Sequence, residues 1–128
     1  MDTQGIITRQ SPFSVKETIE RLQAFLEQHG ATIYARIDQQ TEVQKAGLNL
    51  SPLEFLLFGN PNAGGPLMME NPLIALDLPL KVIAWEDDQK KVWISYNDGV
   101  YIENRYSLSH QDNSPLHLDQ LISKALNE

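Results

Sequence analysis

The segment from Leu57 to Pro79 constrains the fold most, because it interrupts strand-like sequence with a long excursion that is rich in glycine and proline. A continuous apolar run ends in Gly59-Asn60-Pro61, and Leu78-Pro79 leads the chain back into strand-like sequence. Two methionines, Met68 and Met69, lie between these points. This composition predicts a loop held in one defined path rather than a disordered tail.

Helices are indicated at both ends of the chain. Ser14 and Glu17 form a capping box, apolar residues follow at helical spacing, and Gly30 occupies the expected C-terminal cap. Ser114-Pro115 predicts the start of the last helix, with a buried stripe of Leu118, Leu121, Ile122 and Ala125. The 39–46 segment has weak helical character, and 100–108 is ambiguous between a short helix and irregular structure.

Five strands are expected, over 5–10, 31–38, 53–58, 80–85 and 92–96. In the 31–38 strand the residues alternate, which predicts Ala31, Ile33, Ala35 and Ile37 on one face and the polar residues on the other. The 53–58 strand is nearly all apolar and is expected to be buried on both faces. The order strand, helix, four strands, helix predicts an α+β fold: a five-stranded antiparallel sheet with two main helices on one face.

The length of 128 residues favours one domain spanning 1–128, with its core over roughly 5–126. A net charge of −7 argues against nucleic acid and against anionic membranes as partners. Because the chain has no cysteine, thiolate metal sites and cysteine nucleophiles are excluded. We expect no cofactor, and the absence of a signal peptide pattern or long apolar run favours a cytoplasmic location.

Three pieces of sequence resemble the family known as domain of unknown function 302: residues 35–38, residues 58–61, and the pair of segments 78–81 and 93–97. The resemblance covers roughly 5–126. It implies a fold like that of the TATA-box-binding protein, in the order β-α-β4-α, and a tendency to dimerise, but no activity. This chain has Gln39 and Asn62 where family members commonly have histidine and lysine, and this difference weakens an enzymatic interpretation.

The most specific candidate site is the Gly-Asn-Pro turn. It is not a phosphate-binding P-loop, because Gly65-Pro66 stands where lysine and serine or threonine are required. One hypothesis is that Asn60 caps a short helix beginning at Pro61 and leaves free backbone N–H groups aimed at a carboxylate or small anion. The alternative is that these residues only fix a turn after a buried strand.

Met68 and Met69 are candidates for the wall of an adaptable apolar pocket, although such residues more often close the end of a core. His29, His110 and His117 show no metal-binding spacing, so no metal site is predicted. Isolated carboxylates are usually solvated, but a pair for acid–base chemistry remains an alternative among Asp38, Glu54, Glu70, Asp77 and Glu86. Tyr96 is either a buried tyrosine with one partner or a second side chain of the same cleft.

These observations favour a non-catalytic domain that binds a small apolar or amphipathic ligand near the Gly-Asn-Pro turn. Its predicted contacts are Asn60, Pro61, Asn62, Gly64, Met68, Met69, Asp38 and Tyr96. One alternative is a homodimeric interaction module that associates through residues 67–69 or the last helix. Another is an enzyme that uses Asp38 with Tyr96, which requires the two side chains to reach one pocket.

Overall fold

Five antiparallel strands form one sheet in the order β1-β5-β4-β3-β2 in the computed structural model, which describes residues 4–109 and 114–127. The strands are β1 (Ile6–Ser11), β2 (Thr32–Asp38), β3 (Leu53–Gly59), β4 (Leu80–Glu86) and β5 (Val92–Asn97). The helices are α1 (Val15–Gln28), α2 (Gln39–Lys45), α3 (Pro61–Glu70), α4 (Gly99–Arg105) and α5 (Asp119–Asn127), and a 3-10 turn covers Pro72–Leu76. The predicted α+β class and the five-stranded antiparallel sheet are confirmed.

The two main helices, α1 and α5, contact each other, and α1 also packs on β3 and β4. Ser14 begins α1 as predicted, because its hydroxyl oxygen accepts the backbone N–H of Glu17 at 3.1 Å. The predicted apolar stripe of α1 is buried and meets the apolar side chains of α5 and the sheet in one core. Among the described residues, none of the helices combines the length and the apolarity that a bilayer crossing requires.

The predicted alternation of side chains between the two faces of β2 is wrong beyond Ile33. Ile33 pairs with Phe58, but the pairing then skips Tyr34, so that Ala35 lies opposite Leu57. Directly opposed residues share a face of the sheet, so Ile33 and Ala35 lie on opposite faces. This irregularity, a β-bulge, shifts the rest of β2 and places Arg36 on the face that the main helices cover.

Strand β3 is covered by helices on one face only, in contrast to the predicted burial on both. Leu56 and Phe58 are buried in the core, while Phe55 and Leu57 on the opposite face are half-buried. Glu54 is buried on the helix-covered face because Arg36 donates from its Nε to Glu54 Oε1 at 3.0 Å. The apolar run therefore reflects a core face together with an apolar but open second face.

The prediction of a loop within the Leu57–Pro79 segment is wrong, because α3 and the following 3-10 turn occupy most of it. Two Asn-Pro pairs cause this, because each asparagine caps a proline-initiated turn: Asn60 before Pro61 and Asn71 before Pro72. The predicted start of the last helix is also wrong. Ser114 and Pro115 form a separate turn, and α5 begins only at Asp119. The weakly helical segment after β2 is confirmed as α2, and the ambiguous 100–108 region contains most of the short helix α4.

Candidate functional site

A cavity of about 320 Å³ lies at the end of the sheet where β3 ends and β4 begins. The end of α1, the first turns of α3, the segment 115–118 and Leu121 of α5 complete its wall. The side chains that line it are mostly apolar: Leu26, Ala31, Phe58, Pro61, Ala63, Met68, Leu78, Pro79, Leu80, Pro115, Leu116, Leu118 and Leu121. A concave apolar space of this size is typical of a small-molecule site.

Helix α3 forms the outer wall of the cavity, and Asn60 fixes its start. The Asn60 side-chain oxygen accepts the N–H of Asn62 at 2.9 Å. Its backbone carbonyl accepts the N–H groups of Ala63 and Gly64 at 2.9 and 2.8 Å. The predicted capped helix beginning at Pro61 is confirmed, but the hypothesis of free amides aimed at an anion is wrong, because the chain itself satisfies these donors.

The predicted contact residues on α3 divide between its two sides. Asn60, Pro61, Gly64 and Met68 line the cavity. Asn62 and Met69 do not line it, and Met69 is 86% exposed. A helix turns its side chains through 3.6 residues per turn, so two adjacent methionines cannot both face the same wall. The paired methionines of the sequence therefore supply one cavity residue and one surface residue.

Asp38 and Tyr96 do not meet, so the arrangement required for an Asp38–Tyr96 enzyme is absent. They lie on the same face but on β2 and β5, with β3 and β4 between them. Three inter-strand spacings place them roughly 14 Å apart across the sheet, and the register offsets them by a further two residues along the strands. Asp38 instead caps α2, accepting the N–H of Thr41 at 3.0 Å.

The Tyr96 hydroxyl has a partner of its own at the start of α5. It donates to the carboxylate of Asp119, whose backbone carbonyl also accepts from Arg9 at 3.3 Å. Burial, together with this hydrogen bond, raises the pKa of Tyr96 to about 12. Tyr96 is therefore a buried tyrosine that holds α5 against the sheet, and neither it nor Asp38 lines the cavity.

Three of the four other candidate carboxylates serve separate interactions. Glu54 pairs with Arg36, Asp77 lies 3.0 Å from Arg105 Nη1 and accepts from Tyr106, and Glu86 lies 3.7 Å from Lys90. Within residues 4–109 and 114–127, no three His, Cys, Asp or Glu side chains are grouped so as to hold a metal ion. His110 lies outside the described residues.

Tyr34 lines the cavity although the sequence pattern did not single it out. The β-bulge gives β2 an extra residue, and bulges characteristically redirect a side chain. A Cβ built on Gly59 would lie 3.6 Å from both Tyr34 Cε2 and Pro79 Cβ. Tyr34 and Pro79 thus flank the Gly59 backbone at the edge of the cavity, a contact between β2, β3 and the residue before β4 that local sequence does not reveal.

His117 is a second polar residue of the cavity wall that the sequence did not indicate, because histidine spacing bears only on metal binding. Its Nε2 lies 3.3 Å from the carboxylate of Glu103, which is 2% exposed. A Cβ on Gly99 would come within 2.7 Å of the Leu116 carbonyl and 3.0 Å of His117 Nδ1. This close approach of segment 115–118 to the first turn of α4 fixes one wall of the cavity.

The fold and sequence place the chain among domains without an assigned activity. Residues 7–128 match the family described as Domain of unknown function DUF302, and the chain belongs to that family. The family resemblance of the sequence is therefore confirmed. The crystal structure of an uncharacterized conserved DUF302 protein from Bacillus stearothermophilus shares the fold, with a TM-score of 0.77 and 20% identity over 98% of each chain.

Curated relatives carry a channel name. The chain is 42% identical over 104 residues to Fluoride-specific ion channel FluC 1 of Brucella suis, which is 81% of this chain and 41% of that protein. The match to Fluoride-specific ion channel FluC 2 of Brucella melitensis has the same identity and covers 38% of that protein. The chain spans about two-fifths of the length of these relatives.

Proposed function

We propose that the chain is a non-catalytic binding domain whose cavity takes up one small apolar or amphipathic molecule. The observation that carries this proposal is the apolar cavity of about 320 Å³ behind α3. Such a cavity exposes hydrocarbon surface to water, and a ligand that removes this surface from water is bound favourably. The wide separation of Asp38 and Tyr96 supports binding rather than acid–base catalysis.

The chain offers a matched pair of glycines to test binding. Gly64 lines the cavity, and a Cβ there would be in ordinary contact with Leu78 Cδ1 at 3.7 Å. Gly65 is its neighbour in α3, and a Cβ there would have no atom within 4 Å. Gly64→Leu therefore fills the cavity, whereas Gly65→Leu changes the same helix without filling it.

The assay is titration with the neutral fluorophore N-phenyl-1-naphthylamine, whose emission rises in an apolar site. We expect saturable binding to the unchanged chain, at least a ten-fold weaker affinity for Gly64→Leu, and a near-normal affinity for Gly65→Leu. Thermal unfolding of both variants checks that they fold. Equal binding by the two variants would show that the fluorophore lies elsewhere.

The names of the Brucella relatives favour a second function, association with a fluoride channel. We propose that the chain acts beside channel-forming segments, since 42% identity relates it to two-fifths of proteins named as such channels. The test is co-purification of this chain with the part of the Brucella suis protein outside the aligned residues. Fluoride efflux from liposomes is then measured with and without the chain. No co-purification and unchanged efflux would refute the association.

Homodimerisation also stays a proposal. It is supported by apolar side chains on α3 and the 3-10 turn that point to solvent: Met69, Leu73 and Leu76 are 86%, 64% and 75% exposed. Light scattering after size exclusion should show a dimer that Met69→Gln converts to monomer. A monomer at every concentration would rule it out.

Cell fractionation tests the proposed cytoplasmic location, and limited proteolysis tests the proposed single domain.

A further inference from the structure

We propose that the cavity selects an uncharged amphiphile, whose apolar body fills the cavity and whose neutral hydroxyl or carbonyl head is held by Tyr34 at the rim. This inference rests on the proposed binding function and adds the chemical class of the ligand. It follows from two properties of the described wall: the absence of lysine, arginine, aspartate and glutamate, and the position of two hydrogen-bonding side chains.

The described cavity wall offers a charged ligand no free partner of opposite charge. None of the described residues that line the cavity is lysine, arginine, aspartate or glutamate. The imidazole ring in the wall, that of His117, is already engaged by the Glu103 carboxylate, 3.3 Å from its Nε2. An ionised head group inside such a wall would lose its hydration without gaining an opposite charge. The first amides of α3 cannot compensate an anion either, because Asn60 already accepts them. The net charge of −7 further disfavours the approach of anions.

The rim nevertheless offers hydrogen bonds to a neutral head. Tyr34 lines the cavity, is 48% exposed, and its hydroxyl bonds to none of the described residues. Asn60 uses its side-chain oxygen to cap α3, which leaves its NH₂ group as a second donor. A neutral hydroxyl or carbonyl oxygen can accept hydrogen bonds from both the Tyr34 hydroxyl and the Asn60 NH₂ group.

The first experiment compares three competitors that share one hydrocarbon chain and differ in head charge: 1-decanol, decanoate and decylammonium. Each displaces N-phenyl-1-naphthylamine from the full chain at pH 7, below its micellar concentration. We expect 1-decanol to bind at least ten-fold more tightly than either ion. If decanoate or decylammonium competes as well as 1-decanol, the proposed selection of uncharged ligands is wrong.

The second experiment removes one hydroxyl. Tyr34→Phe should weaken 1-decanol binding about five-fold, the effect of one hydrogen bond. Tyr101→Phe is the matched control, because Tyr101 is also exposed (39%) but does not line the cavity. Equal 1-decanol affinities for the two variants would refute the anchoring role of Tyr34.

Fluorophore binding tests whether the cavity is a binding site, and the effect of head-group charge tests the class of ligand, so the two proposals can fail separately. If the fluorophore does not bind the unchanged chain, or Gly64→Leu does not weaken it, the cavity is not a binding site and both proposals are refuted. If the fluorophore binds and Gly64→Leu blocks it, but head charge has no effect, only the ligand class is wrong.

Discussion

Helices α1 and α3 flank the same cavity but are built in opposite ways. Helix α1 is capped by Ser14 and buries a continuous apolar stripe. Helix α3 has no buried residue, contains Gly64 and Gly65, and carries Pro66 in its interior. Packing against the core therefore stabilises α1, whereas α3 is defined by the local caps at the two ends of α3. The cavity therefore lies between a firm wall and a weakly supported one.

This difference predicts how the site opens. Glycine and interior proline both lower helix stability, and segments with few buried contacts open at low free energy. We therefore expect α3 to separate from the core more readily than α1, which would admit a ligand without unfolding the sheet. Five substitutions test this contrast and its surroundings: Leu22→Ala with its comparison Met69→Ala, and then, in descending order of expected effect, Tyr96→Phe, Gly65→Ala and Asp87→Asn.

The largest effect is expected in α1. Leu22 is 1% exposed, so Leu22→Ala removes fully buried methyl groups and should lower the free energy of unfolding by about 2–5 kcal/mol. Met69→Ala in α3 should change it by less than about 0.5 kcal/mol. Urea denaturation measures both. A comparable loss for Met69→Ala would mean that α3 is supported as firmly as α1.

The next effect concerns α5, the partner of α1. Tyr96→Phe removes a hydrogen bond to Asp119 and should cost about 1 kcal/mol at pH 7. The pKa of Tyr96 is about 12 in the folded chain, above the ordinary value of 10, so its contribution is complete below pH 10 and is lost as the pH rises from 10 to 12.

Thermal unfolding at several pH values measures this contribution. The melting temperature of the unchanged chain should fall more steeply between pH 10 and 12 than that of Tyr96→Phe. Parallel curves for the two proteins would contradict the assignment of a raised pKa to Tyr96.

A smaller effect of opposite sign is expected in α3. Gly65→Ala should raise the free energy of unfolding by up to about 1 kcal/mol, because alanine favours helix and a Cβ there meets no atom within 4 Å. Hydrogen exchange should show slower opening of α3 amides, with those of α1 unchanged. If the α3 amides exchange at the same rate as before, the glycines are not what weakens this helix.

The smallest effect lies in the β4–β5 hairpin, away from both helices. Trp93 Nε1 donates to the Asp87 carboxylate at 2.8 Å, and this bond, with backbone N–H groups of the turn, holds the pKa of Asp87 below its usual value. The contribution of Asp87 is thus present at neutral pH and is lost as the pH falls below about 4 through its pKa.

Asp87→Asn should therefore destabilise the chain slightly at pH 7, and its difference from the unchanged chain should shrink in acid. Trp93 fluorescence follows the hairpin during this titration. A difference that grows toward low pH would contradict the sign of the shift.

Local signals predicted much of the fold. Ser14 and Glu17 set the start of α1, because a capping box acts between residues that are near neighbours in sequence. The Asn60-Pro61 start of α3 was also readable, although the loop-like composition of the rest of the segment concealed the helix.

The candidate site was only partly predictable, because its remaining residues depend on long-range packing. The faces of β2 follow from a bulge at Tyr34 that only pairing with β3 defines. The contact of Tyr34 with Gly59 and the seating of His117 beside Gly99 join segments distant in sequence. The first amides of α3 are free for a ligand only if Asn60 does not accept them. The conformation of Asn60 decides this, and residue type alone does not give that conformation.

The bulge at Tyr34 also affects how molecules of this protein behave toward one another. Strand β2 lies at the edge of the sheet, where unpaired backbone groups invite a strand from another chain. A bulge interrupts the regular spacing of those groups and twists the strand, which makes such an addition unfavourable. The irregularity at Tyr34, a residue that lines the cavity, is thus expected to disfavour aggregation through the β2 edge.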